Sequence, residues 1–194
     1  MVAHGLAPMV AAGFLSDLTD ERIRDTEKHV VGVDRLRVVG KKLDNNFVPV
    51  AFTASDVKTV SLHRPNDNTL YHLGGVIVAD QSQNRGIGRK LIADELKQTD
   101  ATLLGLHTQN LLMLALAHQM SEYSFSFSSG TANELGTPDP ELCMLGERMS
   151  VIHRGRYGGK SLYGDKKEFR RRGMQIKGLN TNNGDAIVYV GEIK

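Results

Sequence analysis

The chain has 194 residues, of which 40% are hydrophobic and 24% charged, with a formal net charge of +2. That is enough apolar material for the core of one domain, and it excludes a chain disordered throughout. No apolar run reaches the length of a membrane span, so no membrane partner is expected; the only cysteine, Cys143, excludes an intramolecular disulfide and fits a reducing, cytoplasmic setting.

The opening stretch, MVAHGLAPMVAAGFLSDLTDERIRD, is mildly apolar. It lacks a basic leader and carries Pro8, so it does not read as a signal peptide. Residues 16–31 read as a helix, with Ser16, Asp17 or Thr19 as its cap and acids suited to the dipole in its first turn. Strand-like runs follow at 35–42, 47–54 and 57–63, the first two joined by a turn in LDNN. Pro49 puts the second run at an edge or at its own beginning. Residues 64–68, RPNDN, have the composition of a loop. A strand is predicted over 70–79, LYHLGGVIVA, where Gly74 and Gly75 suggest a bulge or a close backbone approach.

Next, residues 86–98 read as an amphipathic helix with Ile87, Leu91, Ile92 and Leu96 on one face. A strand over 102–108 and a helix over 110–120 come after it. The latter is apolar nearly all round, which predicts burial. YSFSFS, 123–128, alternates as a strand does. Residues 129–148 read as a loop, and 155–185 are rich in Gly, Asn and basic side chains. The segment 151–178 carries nine basic residues against two acidic ones, a local +7 that leaves −5 elsewhere. It is either a solvated face or a surface that steers an acidic protein or RNA. A last strand is expected over 186–193. Strands alternating with helices in the middle imply parallel pairing, and the strands before them imply an antiparallel part. The expectation is one α/β (α+β) domain over 1–194, with a basic, Gly-rich excursion at about 130–185 before the last strand.

The stretch VIVADQSQNRGIGRKLIADEL, 76–96, carries the chemistry. A strand that gives way to a Gly-rich turn and a helix suits an anion, because the free N–H groups of the first helical turn point at it and the dipole favours negative charge. Gly86 and Gly88 remove side chains that would hold a phosphate off the backbone, and Arg85 and Arg89 add charge. The bland alternative is a turn that needs glycine only for its dihedrals. A dinucleotide fingerprint fails because its third glycine position is Leu91. RGRYGGKS nearly makes a P-loop with Gly159, Lys160 and Ser161, but the leading position is Arg154 and no long apolar strand feeds it.

Gln83-Asn84-Arg85-Gly86-Ile87-Gly88 resembles motif A, Q/R-x-x-G-x-G/A, of the GNAT N-acetyltransferase superfamily. The resemblance runs over about 70–128, with Asp80 where many members have proline. It implies a mixed, mostly antiparallel sheet, splayed at an acyl-CoA site and flanked by helices. It also implies transfer of an acetyl group from acetyl-CoA to an amine. The pyrophosphate would lie on backbone N–H groups from Gln83 to Arg89. The pantetheine arm would lie along the strand that ends in Ile77, Val78 and Ala79, with a backbone N–H near Val78 polarising the thioester. Asn110 stands where the family often has an asparagine that touches CoA.

In the histone-type branch a Glu base lies eleven positions before the motif Gln; here that position is His72, which titrates near neutrality. The tyrosine acid of many members corresponds to Ala117, leaving His118 and Tyr123 as the nearest alternatives, with Tyr123 the candidate acid. His72 and Tyr123 also have plain structural readings. No metal site is predicted, because the histidines are scattered. The acyl acceptor, an amine on a protein or small molecule, is not indicated, and a homodimer is compatible with the chain. Two other readings stay open: a catalytically weak GNAT-fold regulatory or interaction module that binds CoA, and a nucleic-acid-binding protein acting through 151–178.

Overall fold

The computed structural model describes residues 2–13, 17–62, 68–128, 131–132 and 186–194. The predicted loop and basic excursion therefore lie outside the described residues, apart from 131 and 132.

Helix α1 spans Val2–Gly13, with Pro8 inside it, in a stretch to which the sequence pattern assigned no element. Helix α2, Asp20–Val30, starts later than predicted: Thr19 is its cap and accepts a hydrogen bond from the Arg22 N–H at 3.2 Å. Strand β1, Arg35–Leu43, turns at Asp44, whose φ of 52° is left-handed, into β2, Asn46–Val60. Here the expectation of two strands is corrected. Ser55 and Asp56 look like a break, but both stay in the ladder, opposite Leu73 and His72. Pro49 is neither on an edge strand nor at a strand start. It sits opposite Gly40 and next to Val50, the extra residue of a bulge in β2, where β2 has run past the end of β3 and a missing N–H costs nothing.

Strand β3 is Asn68–Val78, α3 is Ile87–Gln98, β4 is Leu103–Thr108 and α4 is Leu111–Met120. Strand β5, Ser121–Ser128, follows directly; β6, Thr131–Ala132, is a two-residue strand inside the predicted loop; β7 is Ile187–Ile193. The seven strands form one sheet in the order β1-β2-β3-β4-β7-β5-β6. Every neighbouring pair is antiparallel except β3 and β4. This is the mixed, mostly antiparallel sheet expected.

The period-two alternation of the strands sorts side chains onto two faces. On one, Tyr71, Leu73, Leu104, Leu106, Ile187 and Tyr189 pack with Ile92 and Leu96 of α3 and Leu114 and Ala117 of α4. On the other, Phe52 and Ile77 meet Leu6 and Val10 of α1 and Val30 of α2. A smaller cluster there joins Leu70, Leu103, Val188 and Val190. Helix α4 departs from its prediction: Leu111 and Leu112 are 41% and 56% exposed, and burial is confined to Leu114 and Ala117. It lies on the sheet by one side only, so its apolar composition exceeds what packing uses.

Two side chains of β1 stitch that strand to α3. Arg35 Nε lies 2.6 Å from Glu95 Oε2, and Arg37 Nη1 lies 3.3 Å from Glu95 Oε1. Burial acts to raise the Glu95 pKa, but the bonds from Arg35 and Arg37 outweigh it and hold the carboxyl below its ordinary range.

Candidate active site

Strands β3 and β4 pair only from Leu70–Leu103 to Leu73–Leu106. β3 then continues to Val78 and β4 to Thr108 without bonding each other, so the two part and leave a slot between them. The cause is local. Ala54 lies opposite Gly75 and Ser55 opposite Leu73, which leaves Gly74 as an extra, bulged residue at the point of parting. The predicted bulge is thus present, and it bends β3 away from β4.

Beyond the bulge, β3 still bonds β2 on its other side, from Gly75 to Val78. The Ala79 N–H donates to Val50 O at 2.9 Å. Since N–H groups alternate in direction along a strand, those of Val78 and Val76 face the slot. The Val78 carbonyl, directed the same way, accepts from Gln83 Nε2 at 3.0 Å, and the same amide reaches Asp80 Oδ1 at 2.9 Å. Gln83 therefore clamps the strand end to the turn, and its own N–H donates to Asp80 O within a 3₁₀ turn, Asp80–Ser82.

Past that turn the backbone is left-handed at Asn84, φ 59°, and again at Gly86, φ 70°. Gly86 caps α3 without a side chain over the helix end, so the N–H groups of Ile87, Gly88 and Arg89 have no partner inside the helix. Alternating handedness of this kind turns successive N–H groups toward one concavity. The two glycines do different things. Gly86 supplies the positive φ. At Gly88 a Cβ would stand 3.5 and 3.6 Å from Val78 and Val76, so this glycine brings α3 close to β3. Arg85 and Arg89 are exposed on either side. Across the slot, Asn110 caps α4: its Oδ1 accepts from the Leu112 N–H at 2.9 Å.

His72 is 3% exposed and stands opposite Gly105, one residue before the strands part. Its Nε2 is 3.2 Å from His107 Nδ1, with the rings edge to face at 81°. Its Nδ1 is 3.8 Å from Asp56 Oδ2. The contact with His72 is the main influence holding the Asp56 carboxyl below its ordinary range. Asp56 and His107 went unnoticed in the sequence because nothing local marks them; only the register of β2, β3 and β4 brings them to His72. Among the described residues no group of three His, Cys, Asp or Glu side chains converges to hold a metal ion.

The remaining candidates lie elsewhere. Tyr123 is on β5, which β7 separates from β4, at an irregularity between Glu122 and Phe125. Its backbone is two strands away from the slot, about 10 Å by strand spacing. Ala117 is buried against the sheet. His118 stacks edge to face on Tyr189, 5.0 Å between ring centres, in the last turn of α4 and so away from the slot, which the first turn faces. Burial holds His118 below its ordinary pKa, with Lys194 adding to the effect. Among the described residues no helix is long and apolar enough to cross a membrane.

No family model and no curated protein matches the chain. Solved structures do. A chain of the NatB acetyltransferase complex bound to a bisubstrate inhibitor is 13% identical, the match covering 98% of this chain and 84% of that one at a TM-score of 0.51. A chain of the NatC complex bound to Gag peptide and CoA is 14% identical over 99% and 91%, at 0.46. A conserved Enterococcus faecalis protein is 16% identical over 65% of this chain, at 0.45, but this chain spans only 31% of its length. It likewise spans 42% of a Pyrococcus horikoshii protein. The likeness to the NatB chain carries the assignment, and with the parted parallel pair it gives this chain the fold of the GNAT N-acetyltransferases.

Proposed function

We propose that the chain is an N-acyltransferase that moves an acetyl group from acetyl-CoA to an amine by direct attack in a ternary complex. The observation that supports this best is the slot. Among the described residues, a strand edge from Gly74 to Val78 is left without a partner on the β4 side, and the strand leads straight into a helix N-terminus. An extended, amide-bearing arm ending in a pyrophosphate fits those two features together, as a strand addition that finishes on an anion cradle.

The residues fit such a co-substrate, which supplies an acyl group already activated as a thioester. The N–H groups of Ile87, Gly88 and Arg89 would take the pyrophosphate, joined by those of Asn84 and Arg85, with the two arginines adding charge-assisted bonds. Ile77, Val78 and Ala79 would flank the arm, and the Val78 N–H would donate to the thioester oxygen. Asn110 would stand on the opposite wall. The amine must be neutral to attack, so a base near the parting point must take its proton.

The test is acetyl-CoA binding followed by product detection. Acetyl-CoA at about 1 mM should raise the Tm, since a ligand that binds only the folded state stabilises it. Mass spectrometry of a lysate incubated with the protein and isotope-labelled acetyl-CoA should then show newly labelled amines. Absence of any thermal shift at that concentration overturns the reading. One observation favours a second reading, a CoA-binding module with weak turnover: Ala117, at the position of the family's tyrosine acid, is buried and has no proton to give. Thermal stabilisation without thiol release across peptide and small-amine acceptors would support it.

A further inference from the structure

We propose that Thr53, Ser55 and Tyr71 bind one internal water molecule between the sheet and α3, and that this water joins the strands to the Glu95 carboxylate. The inference does not depend on the acyltransferase reading. It concerns how α3, the helix that carries the glycine cradle at its start, is held on the sheet.

Register puts the three hydroxyls on one face. Thr53 and Ser55 are alternate residues of β2, opposite Arg37 and Arg35 of β1. On the other side of β2, Ser55 is opposite Leu73 and Val57 is opposite Tyr71, so Tyr71 is the diagonal neighbour of Ser55, within reach of a long ring. This is the face that α3 covers: Tyr71 and Leu73 pack with Ile92 and Leu96, and Arg35 and Arg37 reach Glu95. Thr53 and Ser55 are 1% exposed and Tyr71 is fully buried. Among the described residues, Thr53 Oγ1, Ser55 Oγ and Tyr71 Oη have no hydrogen-bond partner.

Buried hydroxyls left without partners are costly, and three together on one face are out of keeping with a packed core. These three also converge. Burial raises the Tyr71 pKa; Ser55 opposes that, Glu95 adds to it, and Thr53 and Arg35 oppose it, so these groups surround the phenol oxygen. Yet the hydroxyls make no hydrogen bond with one another. Polar groups that face a common point without bonding each other are the setting in which an internal water completes the bonds.

Charge and enclosure select the ligand. The guanidiniums of Arg35 and Arg37 disfavour a cation, and the Glu95 carboxylate disfavours an anion. The occupant must be neutral, small enough for a closed site, and able both to donate and to accept. Water meets all of these conditions. Tyr71 stays protonated because burial pushes its pKa up, so its O–H donates to the water. One of the Ser55 and Thr53 hydroxyls donates as well, and the other accepts. Glu95 Oε2 takes a bond from Arg35 Nε and keeps a lone pair for the water's other proton. That arrangement fills both donor and both acceptor positions of the water, and it gives the buried carboxylate a polar floor on β2.

Two measurements test the site. A high-resolution crystal structure of the parent protein should show a water at hydrogen-bond distance, about 2.5–3.0 Å, from Tyr71 Oη and from at least one of Ser55 Oγ and Thr53 Oγ1. A dry site, with Tyr71 Oη bonded directly to either hydroxyl, overturns the proposal without any variant. In solution, oxygen-17 magnetic relaxation dispersion reports internal waters of long residence. Thr53→Val, Ser55→Ala and Tyr71→Phe combined keep the side-chain shapes nearly unchanged and leave Glu95 as the water's sole partner. The dispersion amplitude should then fall by the contribution of one water. An unchanged amplitude in the folded triple variant overturns the proposal.

Discussion

Glycines 86 and 88 look alike in the sequence and differ in the structure. Gly86 has a φ of 70°, which costs an L-residue about 1–2 kcal/mol. At Gly88 an added Cβ would make only ordinary contact with Val76 and Val78, inside a helix where alanine is the better residue. Gly86→Ala should therefore lower stability by about 1 kcal/mol, whereas Gly88→Ala should leave it unchanged or raise it, as chemical denaturation would measure. Equal losses at both positions would show that the turn needs small residues for space and not for handedness. Glu95 poses the opposite case, a carboxylate that is 2% exposed and held by two arginines. Among the described residues, removing it leaves the Arg35 and Arg37 guanidiniums with only Gln98 and, at 3.6 Å, Asp94 as their respective partners. Both arginines are about a third exposed, so water offsets part of the loss, and Glu95→Ala should cost about 2–3 kcal/mol. Removing Arg37 alone should cost less, because Arg35 keeps the shorter bond.

Among the elements, the β1–β2 hairpin is the one whose geometry depends most on a single residue. Its tip runs beyond β3, and Leu43, Phe47 and Val48 there are exposed. At Gly40, opposite Pro49, an added Cβ would overlap the Val48 carbonyl and the Phe47 ring. The carbonyl is backbone and cannot swing aside. Gly40→Ala should thus cost about 1–3 kcal/mol, with hydrogen exchange rising first in residues 40–50. Gly32→Ala, with open space around it, should show strain from its φ of 90° alone. This hairpin also shows what sequence can and cannot convey. Its strands were legible from β-branched and aromatic runs, and LDNN from turn chemistry, because both signals are local. The bulge at Val50 was not, since it depends on how β2 pairs with β1. β2 itself was divided in two because Ser55 and Asp56 are polar, yet their partners on β3 explain them. The same distinction runs through the site. The cradle from Gln83 to Arg89 is contiguous and was visible at once. Asp56, His72 and His107 are spread over 52 positions and meet only through register. Helix α1 was missed because alanines, glycines and an internal proline give no apolar stripe to read.

For the molecule as a whole, charge pairs hold both faces of the sheet, and they set how it responds to acid. On the α3–α4 face, Glu95 ties α3 to β1; on the other, Asp56 ties β2 to His72 of β3. Both carboxyls are held below their ordinary values of 4.5 and 3.8. A carboxyl with a depressed folded pKa binds its proton more readily in the unfolded chain. Its contribution is complete above the unfolded value and is lost as pH falls through the folded one. His118 has the same sign for a different reason: burial resists its charging, so the unfolded chain takes that proton first, from pH 6.5 downward. Acid should therefore act in two stages. The Tm should be level from about pH 8 to 7, decline below 6.5 as His118 comes under strain, and fall more steeply below 4.5 as Glu95 and then Asp56 are forced to protonate. Variants separate the stages. His118→Asn should flatten the first and leave the second. Glu95→Gln should lower the plateau, because the arginines lose their counter-charge, but should shrink the drop below 4.5. Circular dichroism melts over this range give the answer, and curves for Glu95→Gln that run parallel to the parent at every pH would place the acid sensitivity elsewhere in the chain.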